Sequence, residues 1–275
     1  DPLWLFNFNE TSGNIVSVAG SPTASLVPSG SPGTYNVKGV NRQNGAFALN
    51  GTSRFLSGSL VSNSRQGTVI MIVRMQNTNA EFDNLLDIFQ GFSLWRLSIG
   101  VARVGGRGTA SPDVGSPLLG SPIQPNPGQS TSEFPYLLTQ NGVNNSNYTT
   151  IAYLPGAKSI ADGQWHVFAI RKPDFGGQSP PSYPEFFIDG VKYDEVYTNL
   201  TPATRNPSLW WGDFSAQSYS LSLGARGNPF QQNSAFTIDT LFGTEKVMSQ
   251  SEIAFVSTLV DSALNISPPF YPRSP

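Results

Sequence analysis

Apolar and polar residues alternate with a period of two along much of this chain, and that period predicts strands. The clearest stretch runs from Asp162 to Lys172. An Asp162-Gly163 turn leads into a run with Trp165, Val167 and Ala169 on one face and His166, Phe168 and Ile170 on the other. Apolar residues on both faces predict a central strand covered on both sides. Residues 3–8 place Trp4, Phe6 and Phe8 on one face. Residues 67–75 form the most hydrophobic run, rich in β-branched side chains and too short for a buried helix. Residues 85–89 and 149–154 add strands, and residues 92–101 alternate, with Trp95, Leu97, Ile99 and Val101 on one side. Residues 185–193 read as two short strands around Asp189-Gly190, a dipeptide suited to the positive φ angles of a type I′ turn. Two short strands are predicted within 45–60, split at Asn50-Gly51, and further strands at 219–224 and 235–248.

A helical period appears once. Ser249 and Glu252 form a capping box, and Ile253, Val256, Leu259, Val260 and Ala263 make its apolar stripe. Roughly a dozen strands and one short C-terminal helix predict an all-β antiparallel sandwich. One domain over residues 1–266 is expected, because neither half closes a sheet alone. Residues 20–43, 173–184 and 198–218 read as loops, and 104–147, punctuated by glycine and proline, as a long inserted loop. Residues 267–275, rich in proline, read as an extended tail or linker.

Composition narrows the function. Only 12% of the residues are charged and the formal net charge is −2, which excludes the clustered basic surface of a nucleic-acid binder. No apolar run reaches the ~20 residues of a membrane-spanning helix, so no membrane insertion is expected. Cysteine is absent, so disulfides and thiolate metal sites are excluded. The uncharged, turn-rich surface suits a secreted, cell-surface or virion protein. Asp1 reads as a processed or cut end.

The order of the motifs resembles the laminin-G-like, concanavalin A-like jelly-roll domains. That pattern is D-G-x-W-H, a hairpin ending in I-D-G, L-x-L-G, a strand carrying I-D, and a short S-x-x-E-I helix. Here these are Asp162 to His166, Ile188 to Gly190, Leu221 to Gly224, Ile238-Asp239, and Ser249 to Ile253. The opening strand from Leu3 to Glu10 and the strand Asn44 to Gly51 also match, so the resemblance spans most of residues 3–262. It implies a jelly-roll sandwich and leaves function open, since one fold hosts many functions. It also implies a calcium ion at the sandwich rim, with Asn9, Glu10 and Asp239 as candidates by motif position. The lack of the disulfide found in many animal members leaves bacterial, algal or viral sources open.

Candidate chemistry is sparse. His166 is the only histidine, so a catalytic triad and a several-histidine zinc site are excluded, and it reads as a structural residue. Related glucanases carry alternating carboxylates on one strand, and retaining chemistry needs two carboxyls ~5 Å apart. Glu81, Asp83 and Asp87 could share a face, but Leu85 interrupts them and the closing glutamate is missing, so no catalytic residue is expected. Sugar binding needs exposed aromatics beside amides and carboxylates. Trp210 and Trp211 with Asp213, Asn206, Tyr148 and Asn147 are the candidates, against the alternative that these aromatics plug the sandwich edge. Sequons occur at Asn9, Asn50, Asn144, Asn147, Asn199 and Asn265, and the loop positions Asn144, Asn147 and Asn199 are the expected glycosylation sites.

The leading expectation is a non-catalytic extracellular recognition module for glycans. The alternative is a structural or decoration subunit of a virion, cell wall or surface filament, acting through neighbouring protein subunits. A glycoside hydrolase or lyase comes third.

Overall fold

The computed structural model describes residues 1–20, 24–30, 33–41, 43–52, 54–57, 60–61, 64, 66–75, 82–90, 95–103, 133–141, 149–153, 160–173, 184–193, 196–197, 218–224 and 234–265. These form nineteen strands and one helix. The strands are β1 (Pro2–Phe6), β2 (Ile15–Val16), β3 (Ala19–Gly20), β4 (Ser25–Ser29), β5 (Thr34–Lys38), β6 (Asn44–Ala48), β7 (Arg54–Ser57), β8 (Leu60–Val61), β9 (Gly67–Met75) and β10 (Phe82–Gln90). They continue with β11 (Trp95–Arg103), β12 (Glu133–Asn141), β13 (Thr149–Tyr153), β14 (Trp165–Lys172), β15 (Glu185–Ile188), β16 (Val191–Tyr193), β17 (Val196–Tyr197), β18 (Ser218–Leu223) and β19 (Phe236–Thr244), and the helix is α1 (Gln250–Asn265).

All the pairings are antiparallel and divide into two sheets. The helix-bearing sheet runs β16-β15-β14-β9-β19-β1-β3, with β5 and β6 joined through β19. The second sheet runs β17-β13-β12-β11-β10-β18-β7-β4-β2, with β8 on β18. The protein is therefore an antiparallel β-sandwich with one short C-terminal helix. Two expected loops contain strands. β4 and β5 lie within 20–43, and β12 crosses the segment 104–147 between β11 and β13. Proline at 28 and 135 hid β4 and β12, since both fall inside strands where sequence patterning demotes a run.

The inner core draws on both sheets. Trp4, Phe6, Met71, Val73, Phe168, Phe186 and Leu241 come from one, and Leu26, Phe55, Leu86, Leu221 and Leu223 from the other. β14 behaves as its alternation predicts. Phe168 and Ile170 enter this core, while Trp165, Val167 and Ala169 join a second cluster with Ile70, Phe187, Ile253 and Val260 under α1. β19 shifts register between Ile238 and Thr240, which lets both Ile238 and Leu241 face the inner core around a bulged Asp239.

The helix begins with the expected capping box. Ser249 Oγ accepts from Glu252 N at 3.2 Å, and Glu252 Oε2 accepts from Ser249 N at 2.8 Å. Its buried face differs from the predicted stripe. Ile253, Ser257 and Val260 are buried, whereas Leu259 is 53% and Phe255 62% exposed. The cause is the hairpin beneath. Gly190 abuts the helix so closely that a Cβ there would lie 2.8 Å from Ala254 Cα. The helix consequently rests on its Ala254–Ser257 side, and Leu259 turns toward the margin.

Candidate functional site

Two of the motifs that carry the resemblance meet around one histidine. His166 is buried on β14. Its Nδ1 lies 2.8 Å from Asp189 Oδ2 and its Nε2 2.9 Å from Asp162 Oδ1. Two carboxylates can both be satisfied only if both ring nitrogens donate, which is the imidazolium form. Burial lowers the histidine pKa, but the bonds and charges of Asp189 and Asp162 outweigh it and hold the value above that of a free histidine. Asp189 Oδ1 also accepts from Val167 N at 2.9 Å, and Asp162 Oδ1 from Gln164 N at 2.9 Å. Asp189 and Gly190 take φ angles of 51° and 78°, the two positive values of a type I′ turn. The first motif's Asp-Gly turn, its histidine and the hairpin's Asp-Gly turn thus form one clamp. Both ring nitrogens of His166 are engaged within the fold.

A second ionic group lies on the same sheet. Arg171 pairs with Glu185 and donates from Nη1 to Met248 O at 2.8 Å, while Lys192 Nζ reaches Glu185 Oε1 at 2.7 Å. Burial pushes Glu185 up, but Lys192 and Arg171 outweigh it and hold its pKa low. This network ties β14, β15 and β16 to the entrance of α1.

The three calcium candidates do not share a shell. Asp239 lies on the helix side, where Oδ2 accepts from Val40 N at 3.0 Å and Oδ1 from Thr240 Oγ1 at 3.0 Å. A Cβ on Gly39 would collide with Asp239 Oδ2 and stand 3.7 Å from Ala46 Cβ, a member of the under-helix cluster. Asn9 meets the neighbouring residue of β6, where a Cβ on Gly45 would collide with its Oδ1. Successive residues of a strand face opposite ways, so β6 separates Asn9 from Asp239. Glu10 Oε1 accepts from Val16 N at 2.8 Å, and its Oε2 is buried with no hydrogen-bond partner among the described residues. Burial of Tyr35 raises that residue's pKa, and the charge of Glu10 adds to the rise. Among the described residues, no three His, Cys, Asp or Glu gather closely enough to hold a metal ion.

The register of β10 bears on the glucanase-like carboxylates. A bulge falls between Asn84 and Leu86, with Asp83 opposite Val101 and Asp87 opposite Ser98. Val101 and Ser98 have opposite parity on β11, so the bulge shifts the backbone register of β10 between the two positions. Both Leu85 and Leu86 enter the core as a result. Glu81 lies outside the described residues, as do Trp210, Trp211, Asp213, Asn206, Tyr148 and Asn147, and the sequons Asn144 and Asn199. Asn9 and Asn50 are exposed.

Sequence reading missed the partners of His166 and the isolated Glu10 oxygen. The signal for the first was present, since two Asp-Gly turns flank the strand that carries the only histidine.

No protein-family model matches the chain, and no curated protein does. Solved structures do share its fold. A botulinum neurotoxin type G receptor-binding domain superposes with a TM-score of 0.52 at 10% identity over 94% of this chain and 51% of that one. The binding domain of botulinum neurotoxin DC, determined in complex with rat synaptotagmin II, gives 0.56 at 11% identity over 94% and 51%. A structure of botulinum neurotoxin type C, whose cell entry depends on interaction with two ganglioside molecules, gives 0.53 at 10% identity over 94% and 51%. This chain spans about half the length of each.

Proposed function

We infer that the chain is a non-catalytic recognition module that acts outside the cell and takes a glycan as its ligand. The observation that carries this reading is the shared sandwich, which covers 94% of the chain in superpositions on receptor-binding domains. Gangliosides and a synaptotagmin are ligands of those neighbours, so both a sugar and a protein surface are chemically reasonable partners here. The only histidine, His166, is engaged on both ring nitrogens, which leaves no free imidazole base. The reading keeps the binding residues Trp210, Trp211, Asp213, Asn206, Tyr148 and Asn147, and glycosylation at Asn144, Asn147 and Asn199. A glycan array that includes gangliosides tests it, with Trp210→Ala and Trp211→Ala as controls. Binding to defined sugars that either substitution abolishes supports the reading. An array with no binding overturns it.

For calcium, Glu10 and Asn9 fit better than Asp239, because the Glu10 Oε2 atom is buried without a partner among the described residues while both Asp239 oxygens are engaged. A hard cation would supply the missing charge partner there. The prediction is a rise in melting temperature on adding calcium, lost in Glu10→Gln and kept in Asp239→Asn.

A second reading, a structural subunit working through protein contacts, is favoured by the edge where both sheets finish. β2 ends one sheet and β3 the other, and the segment linking them carries Val18 at 56% exposure beside Val16 at 45%. Open strand edges with exposed valines are surfaces that other chains can pair with. Concentration-dependent assembly of the chain, or of its native particle, blocked by charges at these valines would favour this reading over the first.

A further inference from the structure

The corner between β6 and β7 is built from Asn50, Gly51 and Thr52, and Asn50 and Thr52 are exposed. Asn50 Oδ1 accepts two hydrogen bonds from Thr52, one from the backbone N at 3.0 Å and one from Oγ1 at 2.9 Å. The first closes an Asx turn, which folds the side-chain carbonyl of Asn50 back over the following peptide nitrogen. Both bonds pull electron density onto Oδ1. That oxygen becomes an oxyanion when a nucleophile adds to the carboxamide carbon, and paired donors on such an oxygen speed acyl transfer. The nearest nucleophile is the backbone nitrogen of Gly51. Gly51 holds a φ of 80°, a conformation that residues with side chains rarely adopt. It has no side chain of its own, and the nearest atom a Cβ there would meet is Ala235 Cβ at 3.7 Å.

We propose that Asn50 is a site of spontaneous deamidation promoted by its own turn. The deprotonated Gly51 nitrogen attacks Asn50 Cγ and forms an N–Cγ bond. The Cγ–Nδ2 bond breaks and the side-chain nitrogen leaves as ammonia, giving a five-membered succinimide. Water then opens the ring at either carbonyl, leaving aspartate or isoaspartate at position 50. The net change consumes one water, releases one ammonia, and takes the formal charge one unit below −2. No oxidant or enzyme enters the balance. The aspartate product keeps its acceptor for Thr52. The isoaspartate product lengthens the main chain beside Leu49, whose nitrogen donates to Phe236 O at 2.8 Å, and so disturbs the end of the β6–β19 ladder. The same dipeptide at Asn44-Gly45 serves as an internal control. It lies within β6, with Asn44 in register with Lys38 and Gly45 buried.

The test is incubation of the folded protein at mildly alkaline pH, followed by peptide mapping for aspartate and isoaspartate and by assay of released ammonia. Conversion at Asn50 several-fold faster than at Asn44 is expected, rising with pH. Thr52→Val should slow it several-fold, and Thr52→Ser, which keeps the hydroxyl, should restore it. Melting curves confirm that each variant is folded before rates are compared. Conversion at Asn50 no faster than at Asn44, or equal rates in the valine and serine variants, overturns the proposal.

Discussion

The two sheets of this sandwich are built to different standards of enclosure. The helix-bearing sheet is buried on both faces around β9 and β14, with the inner core on one side and α1 on the other. The second sheet supplies the inner core from one face, and among the described residues no helix packs on its other face. At its β2–β4 edge, Val16 is 45% and Val27 44% exposed. The difference separates scaffold from surface. A sheet sealed on both sides at its centre resists change, whereas exposed valines mark the edges of both sheets, Val191 on β16 at 54% among them.

Substitutions can break that contrast at its strongest point. Phe168→Ala, in the inner core on β14, is expected to cost about 3–5 kcal/mol, measured by chemical denaturation. Ile253→Ala, which loosens the helix cover of the same sheet, should cost about 2–4 kcal/mol. A comparable loss in both variants would show that the two layers are energetically one body, whereas a negligible loss for Ile253→Ala would make the helix an ornament. Next comes the histidine clamp. Asp189→Asn weakens a charged partner of a buried imidazolium and should cost about 1–3 kcal/mol. Because the folded pKa of His166 lies above the ordinary ~6.5, its stabilising contribution is complete below that value and is lost as pH rises through the folded value. Unfolding measured across neutral to alkaline pH should therefore show a decline that Asp189→Asn flattens. Smallest of all, Val16→Lys and Val27→Lys should change stability by no more than about 0.5 kcal/mol. A large loss there would mean that the open edge is also structural.

The sealed sheet was the more legible one in the sequence, for a physical reason. Residues buried on both faces leave unbroken apolar runs with opposite parities, as in Trp165 to Ile170, and those runs can be read without a partner. Turn chemistry was equally plain at Asp189-Gly190, where two positive φ angles demand such residues. The helix start was readable from Ser249 and Glu252. Its rotation was not, because the contact that sets it involves Gly190, far away in sequence. The bulges at Leu85 and Asp239 were also hidden, since a one-residue insertion leaves composition unchanged while reversing every later face. For the site, sequence found His166 and judged it structural, but its two carboxylates lie 4 residues before and 23 after it, a geometry that only folding reveals. The three calcium candidates matched by motif position, yet motif position carries no information on which side of β6 a side chain lands.

β19 sits between β9 and β1, though it is the last strand in sequence among the described residues. During synthesis both neighbours wait with unsatisfied backbone edges while some 160 residues separate Met75 from Phe236, its register partner. The nascent chain is therefore exposed to mispairing until its final strand arrives. A ribosome-bound chain stopped before residue 236 should stay protease-sensitive however much of the sandwich has already emerged, because β9 and β1 still lack the strand that joins them.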